Sequence, residues 1–347
     1  MMFEKNLKYY RLKKNMSMKE LAAKCGVTAM AVSNYESGKR RPDISVINRM
    51  AEALGIDASD FLSSRNTSLV FDHREFRKNT QLMKTQQEYI IEAVEEYFGR
   101  FFDTVEFLCD NPLPTPPVCH SLNRTGNCEG DALLLRKRLG LPEKGPLDDL
   151  VGALEDRGVL IFELDVDGSG FSGMNGTVNG YPYIVMNRNM TGERKRTTLM
   201  HEMAHVMFTW NDEKKTENEK EATRIAGATL ITKSDLLREL GMRRTSLTKD
   251  LTLVCEEYGI SMYLLVKRAA QIGIISSTLE KEFYIKANRA GWKKNEPARL
   301  RFPEEPHLFR QLVFRAVNEE SVSITKGAEL LGVTVPDMNR FCGPLEF

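Results

Sequence analysis

The five residues His201-Glu202-Met203-Ala204-His205 constrain this chain more than any other feature. Two histidines four positions apart lie about 40° apart around an α-helix, so both imidazoles can reach one ion, with Glu202 beside them. Leu199, Met200, Val206 and Met207 surround the motif with apolar side chains, which predicts a buried helix. An unpaired imidazole or carboxylate is costly in such a setting, so the pattern implies a metal centre. Zinc in a catalytic site takes three protein ligands and keeps one position for water. A third ligand is therefore required, and a carboxylate on a following antiparallel helix supplies it in the usual geometry; Glu217, Glu219 and Glu221 are the candidates.

The rest of the composition describes an ordinary globular chain. With 347 residues, 41% of them hydrophobic and 28% charged, there is apolar material for two or three domains. No stretch approaches the roughly 18 apolar residues that span a bilayer, and Met1 to Lys14 is basic and polar where a signal peptide would be apolar. A cytoplasmic protein with no membrane attachment is expected. Six cysteines without a dense spacing framework fit reduced thiols. Cys109, Cys119, His120 and Cys128 fall close together in sequence, but their wide spacing is unlike the paired ligands of a structural zinc site. The net charge of +1 hides an asymmetry: residues 1–41 hold ten Lys or Arg against Glu4, Glu20 and Glu36. A local excess of this kind points to a polyanion, because neutralising phosphates releases counterions.

Periodicity and punctuation divide the chain into four parts. The first part, residues 1–62, reads as five short helices over 5–62, with a capping box at Ser17-Met18-Lys19-Glu20, a stop at Gly26, and Thr28 as the next N-cap. Residues 63–118 read as a polar linker over 63–80, then one amphipathic helix over 81–109, closed by the Pro-rich stretch 112–117. Residues 119–275 carry helices over 130–139 and 147–157, a β-branched run at 159–164, two further strands up to Asn187, and helices over 193–210, 217–231, 245–258 and 261–273. Residues 276–347 form a C-terminal helical extension with helices over 306–319 and 325–332. No internal repeat is apparent. The fold class is α+β, mostly helical, with a small sheet.

Helix 18–25, the Gly26-Val27 turn and helix 28–36 have the lengths of a helix-turn-helix, and Lys39, Arg40 and Arg41 follow where cations meet phosphates. From Leu21-Ala22 through Ser33-Asn34-Tyr35-Glu36-Ser37-Gly38-Lys39-Arg40-Arg41-Pro42 to Ala53-Leu54-Gly55-Ile56, the segment resembles the Xre/Cro repressor-like domain, a five-helix lambda-repressor-like fold. The resemblance implies that Thr28, Ala29, Met30, Ser33 and Asn34 face the groove of a double-stranded DNA operator. Ala29 and Met30 are unusual there, since neither makes the bidentate hydrogen bonds that read a base. Paired half-sites make a homodimer an expectation.

Residues Arg194-Lys195-Arg196-Thr197-Thr198-Leu199-Met200 leading into the His-Glu motif, and Glu219-Lys220-Glu221-Ala222-Thr223-Arg224-Ile225-Ala226 after it, resemble the ImmA/IrrE metallopeptidases. The similarity covers roughly 120–275, and it departs from the family at Thr197, Thr223 and Ile231-Thr232. It implies a zincin-like, gluzincin-type domain that cleaves helix-turn-helix repressors. His201 and His205 would hold Zn2+, Glu202 would be the general base, and Glu221 would be the third ligand with Glu219 as the alternative. Two positions along a helix differ by about 200°, so only one of those carboxylates can face the metal. The expected whole is a DNA-binding transcriptional regulator with a zinc-dependent endopeptidase that cuts a repressor, another protein or itself. The alternative is a silent transcription factor whose peptidase-like domain senses a ligand.

Overall fold

Capping chemistry sets the limits of the first helices. α1 spans Met2–Lys13 and α2 spans Met18–Cys25; Ser17 accepts from the Glu20 backbone N–H while Glu20 accepts from the Ser17 N–H. α2 ends at Gly26, whose φ of 64° is the left-handed conformation open to glycine. Thr28 caps α3 (Ala29–Glu36) and Asp43 caps α4 (Ile44–Leu54), while the fifth expected helix is a 3-10 turn, Ala58–Leu62. Leu7, Leu21, Ala22, Val32, Met50, Leu54 and Phe61 close the core between them. A buried fork braces this core: Arg11 meets both carboxylate oxygens of Glu36, at 2.5 and 2.8 Å, and donates to the Met16 carbonyl.

The structure, a computed structural model, describes all residues except Met1, Ser64, Thr67, 74–81, 167–169, 293–294, 299, 301–303, 344–347 and the Asp212 side chain. Much of the linker expected over 63–80 lies outside the described residues. Two units emerge, one made of Met1–Pro112, Val166–Phe171 and Phe309–Phe347, the other of Leu113–Asp165 and Ser172–Leu308. In the first, a short strand β1 (Phe71–His73) precedes the long helix α5 (Lys84–Phe107). α5 takes up part of the N-terminal charge, because Lys8 pairs with Glu92 at 3.0 Å and Lys5 with Glu95 at 3.2 Å. With Lys5 and Lys8 paired to carboxylates outside residues 1–41, the basic excess read from the sequence is smaller at the surface than the residue count implies.

The second unit opens with α6 (Cys128–Arg138) and α7 (Leu150–Glu155), followed by strands β2 (Leu160–Leu164), β3 (Gly173–Val178) and β4 (Tyr181–Asn187). β4 pairs parallel with β2, setting Val185 beside Phe162, and antiparallel with β3, setting Ile184 beside Asn175. α8 (Gly192–Met207) lies on β3 and β4 and packs along α9 (Lys215–Leu230). α10 (Lys233–Leu240), α11 (Leu251–Tyr258), α12 (Met262–Gln271) and α13 (Ser277–Arg289) complete the unit. The last segment returns to the first unit as α14 (Leu308–Asn318), α15 (Ile324–Leu331) and α16 (Val335–Cys342), with Phe309 against Tyr97 and Phe101 of α5. Neither α10, α13 nor α16 was expected from periodicity. Among the described residues no helix is long and apolar enough to cross a membrane.

Buried arginines finish helices that their own backbones cannot. The C-terminal carbonyls of α9 have no donors within the helix. Arg136 donates to those of Thr229 and Leu230, and Arg268 to that of Ile231, while also pairing with Glu129 at 2.7 Å. Arg196 on α8 is likewise buried; it pairs with Glu304 and donates to the carbonyls of Leu147 and Asp148.

Glu155 closes α7 and accepts from the N–H groups of His307 and Leu308, at 3.1 and 3.0 Å. Burial outweighs those bonds and the neighbouring His307 and, with a smaller push from Asp149, raises its carboxyl to about 7. A carboxyl whose pKa rises on folding contributes stability that is complete below its unfolded value and is lost as the pH climbs through about 7. The expected consequence is a loss of at most ~3 kcal/mol between pH 5 and 8 from this group. Glu155→Gln keeps an acceptor and should flatten the dependence; equal slopes of melting temperature against pH in both proteins would refute it.

Candidate metal centre and helix-turn-helix

α8 turns Leu199, Met200, Met203, Ala204 and Met207 into the core, which leaves His201, Glu202 and His205 along its border with β3 and α9. Gly173 on β3 lets the helix come this close, because a Cβ there would stand 2.6 Å from Thr198 and 3.6 Å from the Glu202 side chain. Asn175, two residues further along β3, donates its amide to Glu202 Oε2 at 2.7 Å in a buried setting. That bond holds one carboxylate oxygen in place and is charge-assisted.

On α9, the Thr223 hydroxyl donates to the Glu219 carbonyl at 2.8 Å, so its lone pairs face His201 Nδ1 at 3.1 Å. An acceptor at Nδ1 puts the imidazole proton there and leaves the Nε2 lone pair for an ion. His201 Nε2 and His205 Nε2 lie 3.6 and 3.3 Å from the two oxygens of Glu219. Tetrahedral zinc with nitrogen and oxygen ligands at about 2.0–2.2 Å separates neighbouring donor atoms by about 3.3–3.6 Å, so the donor set fits the ion. Among the described residues, these three are the group whose ligand atoms converge, all within 4.8 Å of one another.

Glu221 does not face the histidines. It accepts from Arg124 at 3.1 Å and from Cys128 Sγ at 3.2 Å, and pairs with Arg224 at 2.8 Å. The preference for Glu221 over Glu219 is therefore reversed by the geometry: the roughly 200° between the two positions turns Glu221 toward α6. Burial and the Glu221 carboxylate push the Cys128 thiol up to about 11, so it serves as a donor. Arg124 also pairs with Asp131 at 2.7 Å and lies over the Trp210 ring. His120 Nδ1 is 2.9 Å from the Phe208 carbonyl.

Sequence reasoning missed Asn175, which lay in a segment expected to hold a strand but no site residue. It noticed Thr223 only as a departure from a family pattern. The signal for Thr223 was present, since it stands four residues after Glu219 on the same helical face.

In the first unit, Thr28 uses its hydroxyl to cap α3, accepting from the Ala31 N–H at 3.1 Å. Ala29 and Met30 are exposed, and Ser33 and Asn34 are half-buried on the same helix. The N–H groups of Lys39 and Arg40 donate to the Asn34 carbonyl, folding the basic loop over the end of α3 with Lys39, Arg40 and Arg41 at the surface.

Comparison with known proteins agrees with both halves of this description. Residues 7–61 match the helix-turn-helix family model, and residues 154–270 match the model described as the IrrE N-terminal-like domain, of the M78 peptidases. The chain joins a helix-turn-helix domain to an IrrE N-terminal-like domain. Over 70 residues, 20% of its length, it is 31% identical to the uncharacterized HTH-type transcriptional regulator YqaE of Bacillus subtilis (strain 168). The match spans 60% of that relative. No solved structure matches the chain.

The geometry of the IrrE-like domain separates the two candidate carboxylates experimentally. Glu219→Gln should leave purified protein largely free of zinc by elemental analysis, whereas Glu221→Gln should retain it. Thr223→Val should lower zinc affinity about 10- to 100-fold, as loss of an orienting partner does. Zinc lost from Glu221→Gln and kept in Glu219→Gln would refute the placement.

Proposed function

We propose that this chain is a cytoplasmic DNA-binding transcriptional regulator whose IrrE-like domain is a zinc-dependent endopeptidase acting on a repressor-type protein or on the chain itself. The observation that carries the peptidase half is the meeting of His201, His205 and Glu219 next to a Glu202 already oriented by Asn175. A site that only stored an ion would need the three ligands and not the fourth, positioned carboxylate.

In this reading His201, His205 and Glu219 hold the metal, and Thr223 fixes the imidazole tautomer. A bound zinc supplies Lewis acidity, making a water easier to deprotonate and a peptide carbonyl easier to attack. Glu202 would take a proton, on one carboxylate oxygen, from the water whose oxygen bonds to the peptide carbonyl carbon, and the same carboxyl would return that proton to the amine nitrogen as the C–N bond breaks. The Asn175 amide keeps the other oxygen engaged, so a single oxygen of Glu202 handles the proton. The exposed side of Glu219, 38% accessible, leaves the centre open to a substrate strand.

The helix-turn-helix binds an operator in double-stranded DNA with α3 in the major groove, and Lys39, Arg40 and Arg41 contact phosphates. Thr28, Ala29, Met30, Ser33 and Asn34 form the groove face, and a homodimer covers paired half-sites.

Glu202→Gln separates the two activities. It should keep zinc and operator binding and lower cleavage of a co-expressed helix-turn-helix repressor by roughly 10²- to 10⁴-fold, the usual contribution of a general base. A zinc-loaded wild type that binds its operator but cleaves neither candidate repressors nor itself would overturn the peptidase half and leave the regulator.

A further inference from the structure

The C-terminal helices repeat the helix-turn-helix of the N-terminus. At a constant offset, Ser323, Ala328, Gly332, Val333 and Thr334 stand where Ser17, Ala22, Gly26, Val27 and Thr28 stand. The correspondence extends to both N-caps and to the glycine that ends the first helix. Ser17 accepts from the N–H of Glu20 and Ser323 from that of Lys326, both at 3.2 Å. Gly26 has φ 64° and ψ 35°, and Gly332 has φ 65° and ψ 34°. The Val27 and Val333 N–H groups donate to Ala22 and Ala328 carbonyls, each at 3.0 Å. Thr28 and Thr334 then cap the second helix at 3.1 and 3.2 Å. Val32 of α3 and Met338 of α16 are both fully buried. Where the pattern departs, packing explains it: Gly327 replaces Leu21 because α14 comes so close that a Cβ would lie 2.6 Å from Val317.

We propose that α15 and α16 form a second DNA-reading helix-turn-helix, with Asn339 and Arg340 contacting base edges. These residues occupy the positions of Ser33 and Asn34, and both are exposed. Arg and Asn are the side chains that pair bidentately with guanine and adenine, the capacity that Ala29 and Met30 lack in the first motif. Val335 at the Ala29 position offers a methyl contact to thymine. Over 323–342, Lys326 and Arg340 balance Glu329 and Asp337, with Arg340 lying 3.5 Å from Asp337. A neutral reader has little affinity for phosphates by itself, so the first motif supplies attachment and the second adds sequence discrimination through its high effective concentration on the same chain. The motif is held in its unit by Arg100, which donates to the Leu330 carbonyl, and by Phe341 stacked on Phe314.

This rests on the DNA-binding reading of the first motif, and one experiment distinguishes the two. Full-length wild type, Asn339→Ala/Arg340→Ala and Ser33→Ala/Asn34→Ala would each select duplexes from a randomised library, with sedimentation of each protein in parallel. The expected result is a bipartite site for wild type. The Asn339→Ala/Arg340→Ala protein should lose one part of that site and bind the wild-type sequence about 10- to 100-fold more weakly, while Ser33→Ala/Asn34→Ala loses the other part. Identical sites and affinities for wild type and Asn339→Ala/Arg340→Ala would overturn the second reader alone. A change only in oligomeric state would also overturn it, marking the surface as a protein contact. Failure of wild type to select any duplex would overturn both readings.

Discussion

The seam between α8 and α9 is the constraint on which the candidate centre depends. His201 meets Thr223 and His205 meets Glu219, and these pairings run in opposite directions along the two helices, so the helices are antiparallel. Ala204 on one side and Ala222 and Ala226 on the other are fully buried, which keeps the helices near enough for short side chains to reach across. Larger residues at those positions would force the helices apart, at a typical cost of ~1–3 kcal/mol for overpacking. A one-residue slip along either helix would separate the imidazoles from Glu219 by a rotation of about 100°. The core packing that stabilises the domain thus also sets the spacing of the metal-binding atoms.

Charge is handled inside each unit in ways that net charge conceals. Arg11 and Glu36 are nearly inaccessible, and each satisfies the other; removing one partner would leave the other's charge buried and unpaired, a typical cost of ~3–5 kcal/mol. Arg136 answers backbone carbonyls, and Arg196 and Arg268 answer carboxylates as well, which suits a planar guanidinium with five donors better than an ammonium. These three arginines look like surface cations in a sequence but lie in the interior of the second unit, on or beside the helices that carry the ligands.

The motif residues were legible because their spacing is a statement about helices. Two histidines four apart predict a shared face, and a Ser, Gly and Thr at fixed intervals predict two short helices and a turn; both forecasts need only local geometry. Glu219 against Glu221 was not decidable locally, since the rotation of α9 is fixed by Ala222, Ile225 and Ala226 packing on α8. Asn175 depends on β3 lying beside α8, a contact between residues far apart in sequence. The C-terminal repeat is hard to see in the sequence because only a few of its residues are identical, namely the caps, the turn and one buried alanine, Ala22 and its counterpart Ala328. Other buried positions differ, as Gly327, packed against Val317, differs from Leu21.

The order of the segments raises a folding problem that the second unit solves. The first unit is assembled from both ends of the chain and the short internal segment Val166–Phe171, so α14 to α16 must find α5 across about two hundred intervening residues. Within the second unit, the entering chain at Pro114 and Pro116 lies against Gly158, whose φ of 73° and lack of a Cβ allow that approach. The leaving chain at His307 and Leu308 is hydrogen-bonded to Glu155, three residues earlier at the end of α7. Entry and exit therefore converge on one turn. Once that unit has folded, the loop that the first unit must close is reduced to a short span, which by the logarithmic dependence of closure entropy on length removes roughly 2–3 kcal/mol of its cost. Asp110 and Arg315, which pair at 2.7 Å just outside those two strands of chain, are placed to take advantage of the convergence.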